Sequence, residues 1–289
     1  MIVDNFTGFS LNLKGRLYCY DRPQIMGILN VTPDSFYASS RTPEPAQIAH
    51  RIEQLIDEGA DMIDIGAYSS RPGADDVTEA EEITRLERGM RILRGINDSI
   101  PVSVDTFRAS VARAAIESMG ADIVNDISGG NLDAEMFATV AALRVPYILM
   151  HMRGTPSIMQ SMTEYNDVTS DVISALSQKL ATLEEMGVND VIVDPGFGFS
   201  KTVGQNYEML RNLLQFNKVL SRPVLVGVSR KSMFTRPLGI TPADALEATT
   251  AANTIALLNG ASILRVHDVA AARHALAIVN LTLNPSAPS

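Results

Sequence analysis

The feature that most constrains this chain is a rhythm. Short runs of successive apolar, mostly β-branched residues recur eight times, and a longer stretch with helical spacing follows each one. The runs cover 25–29, 62–65, 102–104, 123–124, 147–149, 191–193, 224–228 and 263–266. Apolar residues at successive rather than alternate positions are the pattern of parallel strands covered on both faces. Helix punctuation between them is explicit. Thr78 with Glu81 reads as a capping box ahead of Ile83, Leu86, Met90 and Leu93. Thr241-Pro242 offers an N-cap and a proline at the first helical position. Val168, Val172, Leu176, Leu180, Leu183 and Met186 share one apolar face, stopped by Gly187. Eight strand–helix units in 289 residues predict a closed (β/α)8 TIM barrel, whose usual length is ~250 residues. An open, doubly wound sheet is the competing arrangement. Residues 10–13 and 16–20 flank Lys14-Gly15 and predict a short N-terminal β-hairpin that plugs the lower end of the barrel. We expect a single domain over residues 1–289, with 1–24 as the hairpin extension and 283–289 as a frayed tail.

Composition narrows the function classes. Apolar residues make up 46% of the chain, enough for one large core, and the net charge of −9 argues against a nucleic-acid partner. No apolar stretch reaches the ~18 residues of a membrane span. One cysteine, Cys19, excludes an intrachain disulfide and suits a reducing cytoplasm. Its place in the hairpin reads as a small buried residue rather than a nucleophile. The N-terminus carries Asp4 and lacks the basic n-region of a signal peptide. These features predict a cytoplasmic globular protein.

In α/β barrels reactive groups sit where strands end and βα loops begin. Here those places hold Asn30, Asp64, Asp105, Asn125, Met150-His151, Asp194, Ser229 to Lys231, Arg265 and His267. Asp and Asn at strand ends can simply cap the next helix: Asp105-Thr106 and Asn125-Asp126 are both placed to do so. Capping does not account for Lys231, Arg265 and His267, because cations are unfavourable near the helix N-termini gathered at this rim. Three cations among carboxylates and amides predict a site for a ligand that is anionic and rich in hydrogen-bonding edges. Two long loops, after Asn30 and after Gly66, are candidate lids.

The chain resembles the dihydropteroate synthase family of folate biosynthesis in a series of strings. They are IMGILNVTPDSF at 25–36, DIGAYSSRPGA at 64–74, SVDTF at 103–107, NDISGG at 125–130, LMHMRGTP at 149–156, DPGFGF at 194–199, GVSRKSM at 227–233 and RVHDV at 265–269. All occur in family order, between Gln24 and about Asn280. The resemblance implies a transferase that joins 6-hydroxymethyl-7,8-dihydropterin diphosphate to p-aminobenzoate and releases pyrophosphate. It further implies that Asp105, Asn125, Asp194 and Lys231 hold the pterin, with Gly227 in the same pocket and Met150 and Phe199 on or near the ring. Arg71, Arg265 and His267 would cradle the diphosphate, and Asn30 would contact the accompanying Mg2+. Ser232, at a helix start after Val228, would meet the p-aminobenzoate carboxylate, in a pocket completed by Phe36, Ser70 and Pro72. Asp105, Lys231, Arg265 and His267 would act in catalysis, by a dissociative, SN1-like displacement. The family is usually homodimeric, through helices late in the barrel, and is the target of sulfonamides.

The second loop departs from the commoner family wording, GGESTRPG: Ala67, Tyr68 and Ser70 replace Gly, Glu and Thr. The first continues FYASSRTPEP where the family often has Ser-Asp-Gly-Gly after Phe. Loop closure and drug sensitivity are therefore less constrained than the pterin site. Two alternatives share part of the pattern. A methyltetrahydrofolate-binding corrinoid methyltransferase domain would share the Asp/Asn/Asp set without needing SRKS or the Arg71/Arg265/His267 cluster. A catalytically silent pterin-binding homologue would not need its loops to keep their polar groups.

Overall fold

A computed structural model describes residues 5–32, 44–68 and 77–285. Strands β1 (Phe9–Leu13) and β2 (Arg16–Tyr20) pair antiparallel. Lys14 and Gly15 turn the chain with φ of 51° and 81°, as a two-residue hairpin turn requires. The hairpin buries Leu11 and Leu13, with Tyr18 and Tyr20 packed beside them. Cys19 points the other way and is exposed, correcting the expectation that it is buried. With period-2 alternation, a residue between two inward-facing tyrosines must face out.

Eight parallel strands follow: β3 (Gln24–Asn30), β4 (Met62–Gly66), β5 (Val102–Asp105), β6 (Ile123–Asp126), β7 (Tyr147–Met150), β8 (Val191–Asp194), β9 (Leu225–Val226) and β10 (Ile263–Val266). Their order is β8-β7-β6-β5-β4-β3-β10-β9. A parallel bridge between Val193 and Val224 joins the two ends, and the Val193 N–H donates to the Pro223 carbonyl at 2.9 Å. The sheet is thus a closed barrel and not an open doubly wound one. The strand expected over 224–228 contributes only Leu225–Val226 to the ladder. The chain leaves it early because the Val228 carbonyl accepts from the Lys231 N–H in a turn, with Arg230 left-handed at φ 57°.

Strands that look uniformly apolar divide by alternation. Met26, Met62, Ile123, Ile148, Ile192, Leu225 and Ile263 face inward and meet the hairpin as one cluster. Their neighbours Ile25, Ile63, Val124, Tyr147, Val191, Val226 and Leu264 face the surrounding helices. Two residues further along, the same inward face carries Asp64, Asn125, Met150, Asp194, Gly227 and Arg265. The dry lower layer and the polar upper layer are thus successive turns of one pleat.

The helices are α1 (Pro45–Asp57), α2 (Glu79–Ile96), α3 (Ala109–Met119), α4 (Met136–Leu143), α5 (Val168–Glu185), α6 (Val203–Arg211), α7 (Leu213–Leu220), α8 (Ser232–Leu238), α9 (Leu246–Leu258) and α10 (Val269–Leu283). Helix α5 buries Val168, Val172, Leu176, Leu180 and Leu183 as expected, while Met186 lies beyond its end and is exposed. Two punctuation expectations need correction. Thr78 does accept from the Glu81 N–H, but the Glu81 carboxylate bonds Arg85 four residues on, so the box is half formed. Thr241-Pro242 does not open a helix: the Thr241 hydroxyl donates to Asp244 at 2.5 Å, closing a turn, and α9 begins at Leu246. Helix α10 runs through Leu283, so the tail expected to fray is still helical at its first residue; residues 286–289 lie outside the described residues. Among the described residues no helix is long and apolar enough to cross a membrane.

Candidate active site

The polar rim is a connected network. Asp64, at the centre of β4, is fully buried, and its Oδ2 accepts from Arg265 Nε at 2.6 Å and Asn125 Nδ2 at 3.1 Å. Arg265 Nη2 donates to Asp105 Oδ2 at 2.7 Å. The guanidinium therefore bridges two carboxylates, from β4 and β5, across the barrel mouth. Burial works against its charge, yet Asp64 and Asp105 hold its pKa well above the ordinary arginine value. Burial pushes the Asp105 carboxyl up to about 7; Arg265 pulls it down, and Asp64, Glu82 and Asp126 push it further up.

Neither Asp105 nor Asn125 caps a helix. The first N–H of α3, from Ala109, donates to Asp133 at 2.7 Å instead. Asp126, next to Asn125, takes the local structural role, accepting from the Ser128 and Gly130 N–H groups and the Tyr147 hydroxyl at 2.7 Å each. Asn125 and Asp105 remain directed into the barrel.

Opposite this network, Asp194 Oδ1 accepts from the Gly196 N–H at 2.7 Å. Burial raises its pKa, while Lys231 and that N–H hold it down. Lys231 Nζ donates to the Phe197 carbonyl at 2.5 Å and lies 4.7 Å from the centre of the Phe199 ring. Burial lowers the Lys231 ammonium to about 8, with Arg265 adding to the effect and Asp194 and Asp105 opposing it. Two glycines leave room for this arrangement. A Cβ at Gly198, which has φ +82°, would come within 3.0 Å of Lys231 Cδ. At Gly227 a Cβ would meet Arg265 Cβ at 3.9 Å and Lys231 Nζ at 4.0 Å, so any larger side chain would project between the two cations. Met150 is buried in a small cluster with Ile127, Met152 and Met159, and Phe199 packs against it.

His267 accepts or donates at Nδ1 with the Ser229 hydroxyl, 2.9 Å away. Burial, then Arg265, lowers its pKa to about 4. This corrects the expectation of three cations on the rim: His267 is a neutral imidazole near pH 7 and can serve an anion only as an N–H donor. Ser232 is exposed at the start of α8, whose N-cap is Lys231, so the helix expected after Val228 is present. Asn30 closes β3 beside Asp105: a Cβ built on Gly66 would sit 3.7 Å from Asn30 Oδ1 and 3.6 Å from Asp105 Oδ2. Phe36, Ser70, Arg71 and Pro72 lie outside the described residues. The departure at Tyr68 has a local consequence: its ring meets Phe107 edge-on at 5.0 Å, with Arg108 5.4 Å from its centre.

Three residues outside the expected site set take part. Asp64 reads in the sequence as one more polar strand end but stands at the centre of β4. Ser229 orients His267. Lys201 is buried, and its Nζ donates to the carbonyls of Gly196 and Phe199 at 3.0 Å each, with His151 Nδ1 at 3.1 Å. Burial pushes Lys201 down to about 7, although three acceptors call for the three N–H bonds of the ammonium form. A lysine directly after an Asp-Pro-Gly-Phe-Gly-Phe-Ser strand-end loop was the available signal. At the other end of the barrel a cavity of about 740 Å3, lined by Phe6, Arg22, Leu257 and Leu283 among others, contains none of the rim residues.

The Asp105 shift has a measurable consequence. A carboxyl held above its unfolded value favours the folded state at low pH, and that contribution is lost as pH rises through about 7. A ligand N–H requires the ionised acceptor, so binding near neutral pH should release protons. Calorimetry in two buffers of different ionisation enthalpy is expected to show this release, and Asp105→Asn is expected to abolish it. Equal heats in both buffers would overturn the assignment.

Residues 26–267 match the family described as pterin binding enzyme. The dihydropteroate synthase of Synechocystis sp. is 41% identical over 255 residues, covering 86% of each chain. Dihydropteroate synthase of Xanthomonas albilineans with 4-aminobenzoic acid superposes with a TM-score of 0.88 at 36% identity, covering 98% of this chain and 100% of that one. Dihydropteroate synthase from Xanthomonas albilineans in complex with 7,8-dihydropteroate gives 0.84 at 34% identity, covering 97% and 100%. A closed barrel, a polar rim in family order and relatives matched over nearly their whole length leave one conclusion: this chain belongs to the dihydropteroate synthase family of pterin-binding enzymes.

Proposed function

We infer that the chain condenses 6-hydroxymethyl-7,8-dihydropterin diphosphate with p-aminobenzoate to give 7,8-dihydropteroate and pyrophosphate. The observation that carries this is the two-sided mouth of the barrel. The Asp64–Arg265–Asp105–Asn125 network faces Asp194 and Lys231, so acceptors and donors alternate around one opening. A flat aminopyrimidinone edge offers the complementary set. Asp105, Asn125, Asp194 and Lys231 hold it, over Gly227 and beside Met150 and Phe199. Arg265, and beyond the described residues Arg71, meet the diphosphate with charge-assisted hydrogen bonds, while His267 donates as a neutral imidazole. Ser232 receives the p-aminobenzoate carboxylate, with Phe36, Ser70 and Pro72 completing that pocket. The relatives bound to 4-aminobenzoic acid and 7,8-dihydropteroate support the pairing of these two ligands.

The donor set also fits Mg2+. Asn30 offers a hard amide oxygen at the rim, and no group of three or more His, Cys, Asp or Glu ligands exists among the described residues. That suits an ion that keeps several waters and takes other oxygens from phosphate, rather than one held in a protein cage. Mg2+ held by Asn30 would supply charge neutralisation at the diphosphate. The protein's own part is to favour departure: the C–O bond breaks with its electron pair going to the diphosphate, where Arg265 lies. The carbon left behind is a cation conjugated with the dihydropterin, and the Asp105 carboxylate stabilises it. The aniline nitrogen then forms the C–N bond and loses its proton to water. No covalent nucleophile on the enzyme is involved.

Release of pyrophosphate from the pterin diphosphate, dependent on p-aminobenzoate for its full rate, tests the function. A slow release that persists without the amine, with water capturing the cation, is the expected sign of the dissociative route. Strict absence of that release would overturn the dissociative route, and no acceleration by p-aminobenzoate would overturn the function. We also propose a homodimer, supported by Ile255, Ile278 and Leu281, which expose apolar side chains on α9 and α10, and a cytoplasmic location, which a single cysteine suits.

A further inference from the structure

The charge at the centre of the barrel is costly. Asp64 is 0% exposed, its Oδ2 takes both contacts, and its Oδ1 has no hydrogen-bond partner among the described residues. Ser103 Oγ, on the residue paired with Asp64 across β4 and β5, is likewise buried and without a partner. A buried ion pair with an unused oxygen is weak support for stability, because a well-packed apolar replacement is commonly as good or better. Its place in the network says more. Asp64 stands one inward position below the mouth, and both of its partners, Asn125 and Arg265, belong to the ligand-facing set.

We propose that Asp64 is a positioning residue that fixes which atoms of Asn125 and Arg265 face the pterin. This rests on the assignment of Asn125 and Arg265 to ligand binding above. An oxygen that accepts from the Arg265 guanidinium can engage the Asn125 amide only through the amide's NH2 group. The Asn125 NH2 is therefore turned down toward Asp64, and its carbonyl oxygen is turned toward the mouth. Asn125 presents an acceptor, selecting a ligand edge that carries N–H at that point. The same carboxylate holds Arg265 by Nε, which aims Nη2 at Asp105 and fixes the plane of the guanidinium. With alanine at position 64 no acceptor remains for the Asn125 NH2, and the orientation would no longer be dictated.

Binding of 7,8-dihydropteroate, the product, reads this out by calorimetry without turnover. Asp64→Ala is expected to weaken it about tenfold or more, the scale of a buried charge-assisted hydrogen bond losing its partner. Asn125→Ala should also weaken it, and the double variant should lose less than the product of the two factors because one acts through the other. Asn125→Asp should be worse than Asn125→Ala, since it sets a second carboxylate against Asp64. Adding Asp64→Asn to Asn125→Asp should recover part of the loss. This second pair keeps the test open if Asp64→Ala alone folds poorly. Unchanged product affinity in Asp64→Ala with a lowered melting temperature, a multiplicative cycle, or Asn125→Asp no worse than Asn125→Ala would each overturn the proposal. An Asn125→Ala variant that binds the product normally would overturn the underlying site assignment instead, and the positioning role with it.

Discussion

Replacing Lys231 with alanine is expected to weaken binding of the pterin diphosphate by roughly 10^2–10^3-fold, as for loss of one partner from a buried hydrogen-bonded charge pair. The ammonium lies beside Phe199, holds the Phe197 carbonyl and supports ionised Asp194. Its removal takes away a ligand donor and also the cation that holds the Asp194 pKa down against burial. Burial holds Lys231 near 8 in the empty protein, so its charge is available at pH 7 and fades as pH rises through that value. Calorimetry on the variant decides the matter, and unchanged affinity would remove Lys231 from the pterin site.

Arg265→Ala is the other large effect, and it should appear in two measurements at once. The guanidinium lies between Asp64 and Asp105 with its side chain 20% exposed. Truncating it leaves two carboxylates facing each other without a counter-charge. Breaking a buried pair costs about 3–5 kcal/mol, and the two acids should respond by taking up a proton between them. Urea unfolding should show the lost stability, largest at high pH, where that proton is hardest to retain. Turnover should fall further than stability accounts for, because the developing charge on the diphosphate loses its cation. Arg265→Lys is expected to rescue little: a single ammonium cannot reproduce the Nε and Nη2 bonds made to two different strands. A stable variant with normal turnover would refute both parts.

How much of this could be read from residue order depends on the distance over which each feature acts. The strands announced themselves because β-branched runs buried on both sides leave a local signal, and each reached its polar terminus within a residue or two. The exception, β9, is short because of a turn at Val228–Lys231 that its apolar composition does not encode. Thr241-Pro242 failed as a helix start for a similar reason: Asp244 competes for the same hydroxyl. The rim residues were legible as a set because they stand at or near the ends of apolar runs. Their division of labour was not. Asp64 and Asp105 look alike in the chain, and only the barrel's register sets Asp64 one inward position below the level of Asp105 and brings Arg265 to both. His267 looked cationic until its enclosure beside Arg265 showed it to be neutral. Lys201 bonds the carbonyls of its own loop, but its third partner, His151, follows the neighbouring strand β7 and is fifty residues away in the chain.

The hairpin under the barrel has a kinetic consequence. Phe9, Leu11, Leu13, Tyr18 and Tyr20 stopper the lower end against the inward layer of strand residues, so on the proposed assignment the well has a single mouth. The ligand that seats deepest must then arrive before the one that seats above it, and p-aminobenzoate arriving first stands in the doorway. Departure runs in reverse. Initial-rate patterns should accordingly be those of a compulsory queue, with excess p-aminobenzoate slowing the entry of the pterin rather than competing for its seat.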